Sequence, residues 1–134
     1  MSEVLAQLEK KGSSGSSGGA TYVVKCYRVV TGTTYTGLTP TYYDSDFFTL
    51  SGNDLIVKKS CKLSIHFYAP ASYGMSYCYS RGFLNTTQLF EMNGDPTNTY
   101  ENLDLSVSVG DMLYFQIKSQ NNNRVGAYAI IYAH

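Results

Sequence analysis

The 134-residue sequence predicts an all-β fold, a sandwich or barrel of short antiparallel strands. Two alternating stretches and regularly spaced turn signals carry that prediction. In the first stretch, Leu103, Leu105, Val107 and Val109 alternate with Asp104, Ser106 and Ser108. After Gly110-Asp111, Leu113, Phe115 and Ile117 alternate with Tyr114, Gln116 and Lys118. A period of two puts one set of side chains on a buried sheet face and the other towards water. A Gly-Asp pair between such runs reads as a reversal, because Gly reaches backbone angles other residues avoid and Asp bonds nearby backbone. The stretch is therefore expected to be a hairpin, with Leu103, Leu105, Leu113, Phe115 and Ile117 in the core. The second stretch, Cys61 to Ala69, sets Leu63, Ile65, Phe67 and Ala69 against Lys62, Ser64, His66 and Tyr68.

The remaining elements follow in chain order. Residues 1–11 read as a short helical anchor: Ser2 can cap it, Glu3 suits its first turn, and Lys10 and Lys11 suit its last. Met1, Leu5 and Leu8 form one apolar stripe, and a helix this short needs something to pack against. Residues 12–19, GSSGSSGG, are a flexible spacer of the kind also used as an engineered linker. The head domain occupies residues 20–134. Its first strand is Thr21 to Val30; Thr33 to Gly37 leads into a bend marked by Pro40. Phe47 to Leu50 and Leu55 to Val57 flank the turn cluster Ser51-Gly52-Asn53-Asp54. Beyond Pro70, Ser76 to Tyr79 and Gln88 to Met92 are weaker strands, and Asn93-Gly94-Asp95-Pro96 is a turn. After a polar turn at Gln120 to Asn123, Val125 to Tyr132 closes the chain, and a terminal strand of this kind is expected inside a sheet.

Composition narrows the function. Ten basic and ten acidic residues cancel, charged residues are only 15% of the chain, and no basic run exists, which argues against nucleic acid. No apolar run is long enough for a membrane span. With no apolar leader at its start, the chain is expected to be made in a cytoplasm and to stay there or leave by assembly or lysis. Tyrosine is over-represented, at thirteen residues with no Trp, and its amphipathic ring suits contact surfaces. Cys26, Cys61 and Cys78 show no C-x-x-C spacing and are expected to be reduced and mostly buried.

No sequence feature demands catalysis. His66 and His134 lack partners at metal-ligand spacing and are read as surface or interface residues. Asp44-Ser45-Asp46 could touch calcium but reads as a solvated loop. Glu91, Asp95, Glu101 and Asp104 could supply a glycosidase pair, though such acids occur in any β protein of this size. There is no G-x-S-x-G elbow and no phosphate-cradling loop. No metal, cofactor or catalytic residue is expected. The stretch Tyr68 to Phe83 is the unusual one: Tyr73, Tyr77 and Tyr79 crowd a Gly/Ser segment with Arg81 nearby. These four are candidate ligand contacts, because Tyr faces stack on sugar rings; packing between subunits or inside the fold is the alternative.

The run Leu103-x-Leu105, then Gly110-Asp111, then Phe115-x-Ile117, followed by Tyr128, Ile130, Ile131 and Tyr132, resembles the C1q/tumour-necrosis-factor jelly roll. The resemblance covers strand order from Phe47 to His134. It implies a jelly-roll β-sandwich that assembles as a homotrimer, here preceded by a short N-terminal helix. The collagen repeat or long coiled coil of that family is missing, as is its aromatic-rich ending. A small helix, a Gly/Ser spacer and such a head also resemble bacteriophage fibre and decoration proteins. That implies a non-enzymatic virion head. Its anchor would contact a capsid or tail protein through Met1, Leu5 and Leu8, or bundle with its copies, and its head would meet a cell-surface glycan. Tyr114, Gln116, Tyr128 and Tyr132 are the candidate trimer contacts. The alternatives are a carbohydrate-active or lectin-like domain, which would need two carboxylates converging in a cleft, and a secreted C1q-like ligand, which would need export.

Overall fold

The computed structural model describes residues 21–69, 78–92, 100–120, 122 and 124–134. The expected helix with Met1, Leu5 and Leu8, the Gly/Ser spacer, the turn at Asn93 to Pro96, and Tyr73 and Tyr77 lie outside the described residues. The described chain is all strand and turn. In order the strands are β1 (Thr21–Val30), β2 (Thr36–Gly37), β3 (Thr39–Tyr43), β4 (Phe48–Ser51), β5 (Asp54–Val57), β6 (Cys61–Tyr68), β7 (Cys78–Leu84), β8 (Thr87–Met92), β9 (Tyr100–Val107), β10 (Met112–Ser119) and β11 (Val125–Ala133). They make two antiparallel sheets. One has five strands in the order β3-β1-β11-β6-β9; the other has six, β4-β5-β10-β7-β8, with β2 beside β10. This is the jelly-roll sandwich that the resemblance implies.

The core lies where the two inner faces meet. β6 contributes Leu63, Ile65 and Phe67, and β10 contributes Leu113, Phe115 and Ile117, all buried as the alternation predicts. Phe67 sits 5.0 Å from Phe90 and 5.8 Å from Phe115, ring centre to ring centre, so an aromatic cluster bridges the sheets. Each such buried ring or branched side chain contributes roughly 1.5–3 kcal/mol. β11, as expected, is interior to its sheet, with β1 on one side and β6 on the other.

Three expectations are corrected. First, Leu103 to Ile117 is not a hairpin. β9 pairs with β6 in one sheet, and β10 pairs with β7, β5 and β2 in the other. The link between them crosses the sandwich. It is closed by Asp111, whose amide donates to Ser108 O at 3.0 Å and whose carboxylate accepts from the Ser108 amide at 2.9 Å. Gly110 stands there at φ +95°, which favours glycine, and its amide donates to Val57 O. Leu103 and Leu105, on an edge strand, are half-buried rather than fully enclosed. Second, β7 runs to Leu84 instead of ending at Tyr79. Gly82 makes it look like a loop, but the glycine is a packing requirement: a Cβ there would lie 2.5 Å from a Phe90 ring carbon. Third, Pro40 sits inside β3 rather than in a bend. β3 is an edge strand, where a missing amide is tolerated, and the register slips by one residue beside it, between Lys25 and Cys26.

All three cysteines are free thiols. Cys26 and Cys78 are buried, and burial pushes both up to about 12; Cys61 is half-buried and is raised by burial, with Lys59 pulling the other way.

Candidate functional site

The sandwich presents two outer faces, and their chemistry differs. On the five-stranded sheet, the pairing registers place Tyr27, Tyr128 and Tyr68 in one row across β1, β11 and β6. The next row holds Lys25, Ile130, His66 and, on β9, Asn102. A third holds Tyr22, Tyr132, Ser64 and Asp104. An outer sheet face ordinarily alternates towards polar residues. Here tyrosines stand around Ile130, with Lys25 and His66 beside it in register and Lys25 Nζ 5.5 Å from the centre of the Tyr22 ring. Tyr27 and Tyr128 stack at 4.7 Å, Tyr22 meets Tyr42 edge-on at 5.6 Å, and His66 meets Tyr132 edge-on at 5.4 Å. Ile130 is 1% exposed and Tyr132 8%, although both point away from the core. Tyr42, on the rim strand, is 44% exposed.

The outer face of the six-stranded sheet carries a ladder of alternating rings and cations. Tyr79, Arg81 and Phe83 point outward from β7, and Lys118, Gln116 and Tyr114 oppose them from β10. Phe83 and Tyr114 stack at 5.1 Å with planes 14° apart. The Arg81 guanidinium lies 3.7 Å above the Tyr35 ring, and its Nε donates to Gln116 Oε1 at 2.7 Å. Lys118 Nζ is 4.5 Å from the centre of Tyr35 and 5.4 Å from that of Tyr79. Burial raises the Tyr35 phenol above its ordinary value; Arg81 opposes the shift and Glu91 adds to it.

The structure therefore separates residues that the sequence groups. Tyr128 and Tyr132 lie on one outer face, while Tyr114 and Gln116 lie on the other, so the four do not form one surface. Tyr79 and Arg81 share the second face with Tyr114 and Gln116. Several neighbours were not among the expected contacts: Tyr22, Tyr27 and Tyr42 on the first face, and Tyr35, Phe83 and Lys118 on the second; His66, expected at a surface or interface, stands on the first face. The signal was present in part. Tyr128-x-Ile130-x-Tyr132, Tyr79-x-Arg81-x-Phe83 and Tyr114-x-Gln116-x-Lys118 are each period-two runs, and each marks one face of a strand.

A polar cluster occupies the β6–β9 edge of the five-stranded sheet. Ser64 Oγ donates to Asp104 Oδ1 at 2.6 Å and lies 2.5 Å from His134 Nε2; His66 Nδ1 lies 2.5 Å from Asn102 Oδ1. A Ser, a His and an Asp meet here, but Asp104 holds the hydroxyl and not the imidazole, so the order of a hydrolytic triad is not met. The carboxylates considered for sugar hydrolysis do not converge. Glu91 is on β8 in one sheet, while Glu101 and Asp104 point to opposite faces of β9 in the other; Asp95 lies outside the described residues. At Asp44-Ser45-Asp46 the loop closes on itself, with the Asp46 amide donating to Asp44 Oδ1 and Lys58 Nζ donating to Ser45 O. Among the described residues, no group of three or more His, Cys, Asp or Glu side chains is placed to hold a metal ion. No helix among them is long and apolar enough to cross a membrane.

No protein-family model matches the chain, and no curated protein matches its sequence. Solved structures do match its fold. The PRD1 vertex protein P5 superposes with a TM-score of 0.58 at 13% identity, over 87% of this chain and 98% of that one. Murine APRIL (TM-score 0.45, 10% identity, 78% of this chain and 98% of that one) and pika GITRL (0.45, 13%, 78% and 94%) are weaker likenesses. The described chain thus has a jelly-roll sandwich fold similar to that of the PRD1 vertex protein P5.

Proposed function

We propose that the chain is a non-enzymatic, homotrimeric head of a virion fibre or decoration protein, assembled through the outer face of its five-stranded sheet. The observation that carries the reading is the ring content of that face: Tyr22, Tyr27, Tyr68, Tyr128 and Tyr132 stand around Ile130, with Lys25 and His66 beside it in register. Aromatic residues are enriched and charges depleted at the centres of protein interfaces. Tyr128 and Tyr132 are the trimer contacts in this arrangement. Tyr114 and Gln116 belong to the opposite sheet and are left facing outward. The C1q/tumour-necrosis-factor resemblance supports three copies, and the likeness to a vertex protein supports a place on a virion. Residues 1–11 would then tether the head to a capsid or tail protein through Met1, Leu5 and Leu8, with the Gly/Ser segment as spacer. Three heads on one anchor raise the effective concentration at a repetitive cell surface, so weak individual contacts suffice.

Light scattering tests the assembly directly: the full chain is expected to have the mass of three copies, and a one-copy mass overturns the reading. Tyr128→Lys, on the half-buried rim of Ile130, is expected to shift the mass towards one copy while the strand signature in circular dichroism persists. The tether is tested by deleting residues 1–11, which is expected to abolish incorporation into virions.

A further inference from the structure

We propose that the outer face of the six-stranded sheet is a binding surface for a carboxylated polysaccharide, with Arg81 and Lys118 as its charge contacts, Tyr35 as the ring that holds them and Tyr79 as its stacking contact. The inference rests on the attachment-head reading, since assembly through the five-stranded sheet leaves this opposite face towards solvent.

Charge complementarity selects the ligand. Among the described residues, neither Arg81 nor Lys118 is ion-paired; Glu91 lies opposite Arg81 in register, yet no salt bridge joins them. Gln116 engages the Nε of Arg81 and Tyr35 supports the guanidinium plane, while the terminal Nη edge has no hydrogen-bond partner among the described residues. That edge matches the two oxygens of a carboxylate. Lys118 adds a second cation between Tyr35 and Tyr79. Successive outward residues on a strand are about 7 Å apart, so Tyr79, Arg81 and Phe83 offer ring, cation and ring along a line. An extended polymer that carries one carboxylate per sugar ring meets both kinds of group in turn. A protein partner fits less well, because interface hot spots are apolar or aromatic anchors in desolvated pockets. The exposed large hydrophobic residues of the described chain are Tyr42, Tyr43 and Val109, and none of them is on this face.

The test titrates the full-length chain with polygalacturonate, with neutral dextran and with poly-glutamate, by calorimetry at low and at physiological salt. Polygalacturonate is expected to bind, more weakly as salt rises, while dextran does not bind and poly-glutamate binds at least about tenfold more weakly, having carboxylates without sugar rings. Lys118→Gln, a substitution on a half-buried side chain that holds no core contact, is expected to weaken polygalacturonate binding about tenfold, as is Arg81→Gln. The proposal is overturned if the folded trimer ignores polygalacturonate, if poly-glutamate or dextran binds equally well, or if Lys118→Gln binds like the parent. Light scattering on the same samples separates the two readings. A one-copy mass with polygalacturonate binding retained removes the assembly and keeps the site; a three-copy mass without binding does the reverse.

Discussion

Gly82 shows how one residue can be required by its neighbours rather than by its own backbone. It carries no unusual φ, yet its missing side chain is what lets the Phe90 and Phe115 rings close over β7. Gly82→Ala would put a methyl 2.5 Å from Phe90 and 3.1 Å from Phe115, two rings of the central cluster. The expected cost is about 1–3 kcal/mol, read as a lower urea midpoint at unchanged slope. The cysteines make a second point at this scale. Cys26 and Cys78 are buried and their thiolates are strongly disfavoured, so a thiol reagent at pH 8 should modify Cys61 alone in the folded chain. Labelling of Cys26 before unfolding would contradict the packing described.

Two tight connections, from different parts of the chain, lock together at one end of the sandwich. Asn85, in the β7–β8 turn, has φ +57°, a left-handed geometry that Asn tolerates better than most residues. Its side chain donates to Asp111 Oδ1 at 3.1 Å and accepts from the Met112 amide at 3.0 Å, in the crossing between β9 and β10. Asn85→Ala removes both bonds and keeps the unfavourable φ, with an expected loss of about 2 kcal/mol; Asn85→Gly should lose less, because glycine accepts that φ. Denaturant curves of the two variants check the order. Asp111 also sets a pH dependence. Its carboxylate accepts from the Ser108 amide and from Asn85, which hold it below its ordinary value of 3.8. A lowered folded value means that the stabilisation is fully present above the unfolded value and is lost as pH falls through the folded one. The thermal midpoint should therefore drop between about pH 5 and pH 2, and Asp111→Asn should flatten part of that drop.

At the scale of the molecule, the two sheets share one core and differ in their outer faces. Their inner faces build one aromatic and aliphatic core, while their outer faces carry different arrangements: tyrosines around Ile130 with Lys25 beside it on one, a ladder of rings with Arg81 and Lys118 against Tyr35 on the other. The proposed head, assembled through the first face and meeting a ligand through the second, would need the two faces to differ, since one face cannot be both buried and available. Tyr128→Lys on the first face should alter mass and leave monovalent ligand affinity unchanged. Lys118→Gln on the second should do the opposite. A variant that moved both readouts together would show that the faces are not independent.

Much of this was legible in the residues. The alternation of Leu63, Ile65 and Phe67 and of Leu113, Phe115 and Ile117 determined which side chains are core, because period two is a local property of an extended backbone. The closing strand was legible as an aromatic and aliphatic run and the turn at Gly52 as a cluster of turn residues, and the resemblance anticipated the jelly roll. What alternation cannot carry is the identity of the pairing partner. A tight link between two alternating runs serves a hairpin or a crossing from one sheet to the other equally well, and the inward residues are the same in both. Only tertiary pairing decided that β9 hydrogen-bonds to β6 and β10 to β7. That choice also sent Tyr114 and Gln116 to the face opposite Tyr128 and Tyr132. The pairing of β2 with β10 set the ring of Tyr35, distant in sequence, under the Arg81 guanidinium. The alternation by itself determined which side chains of β6 and β10 would be buried, because side-chain direction is local; long-range pairing decided which outward residues would stand together.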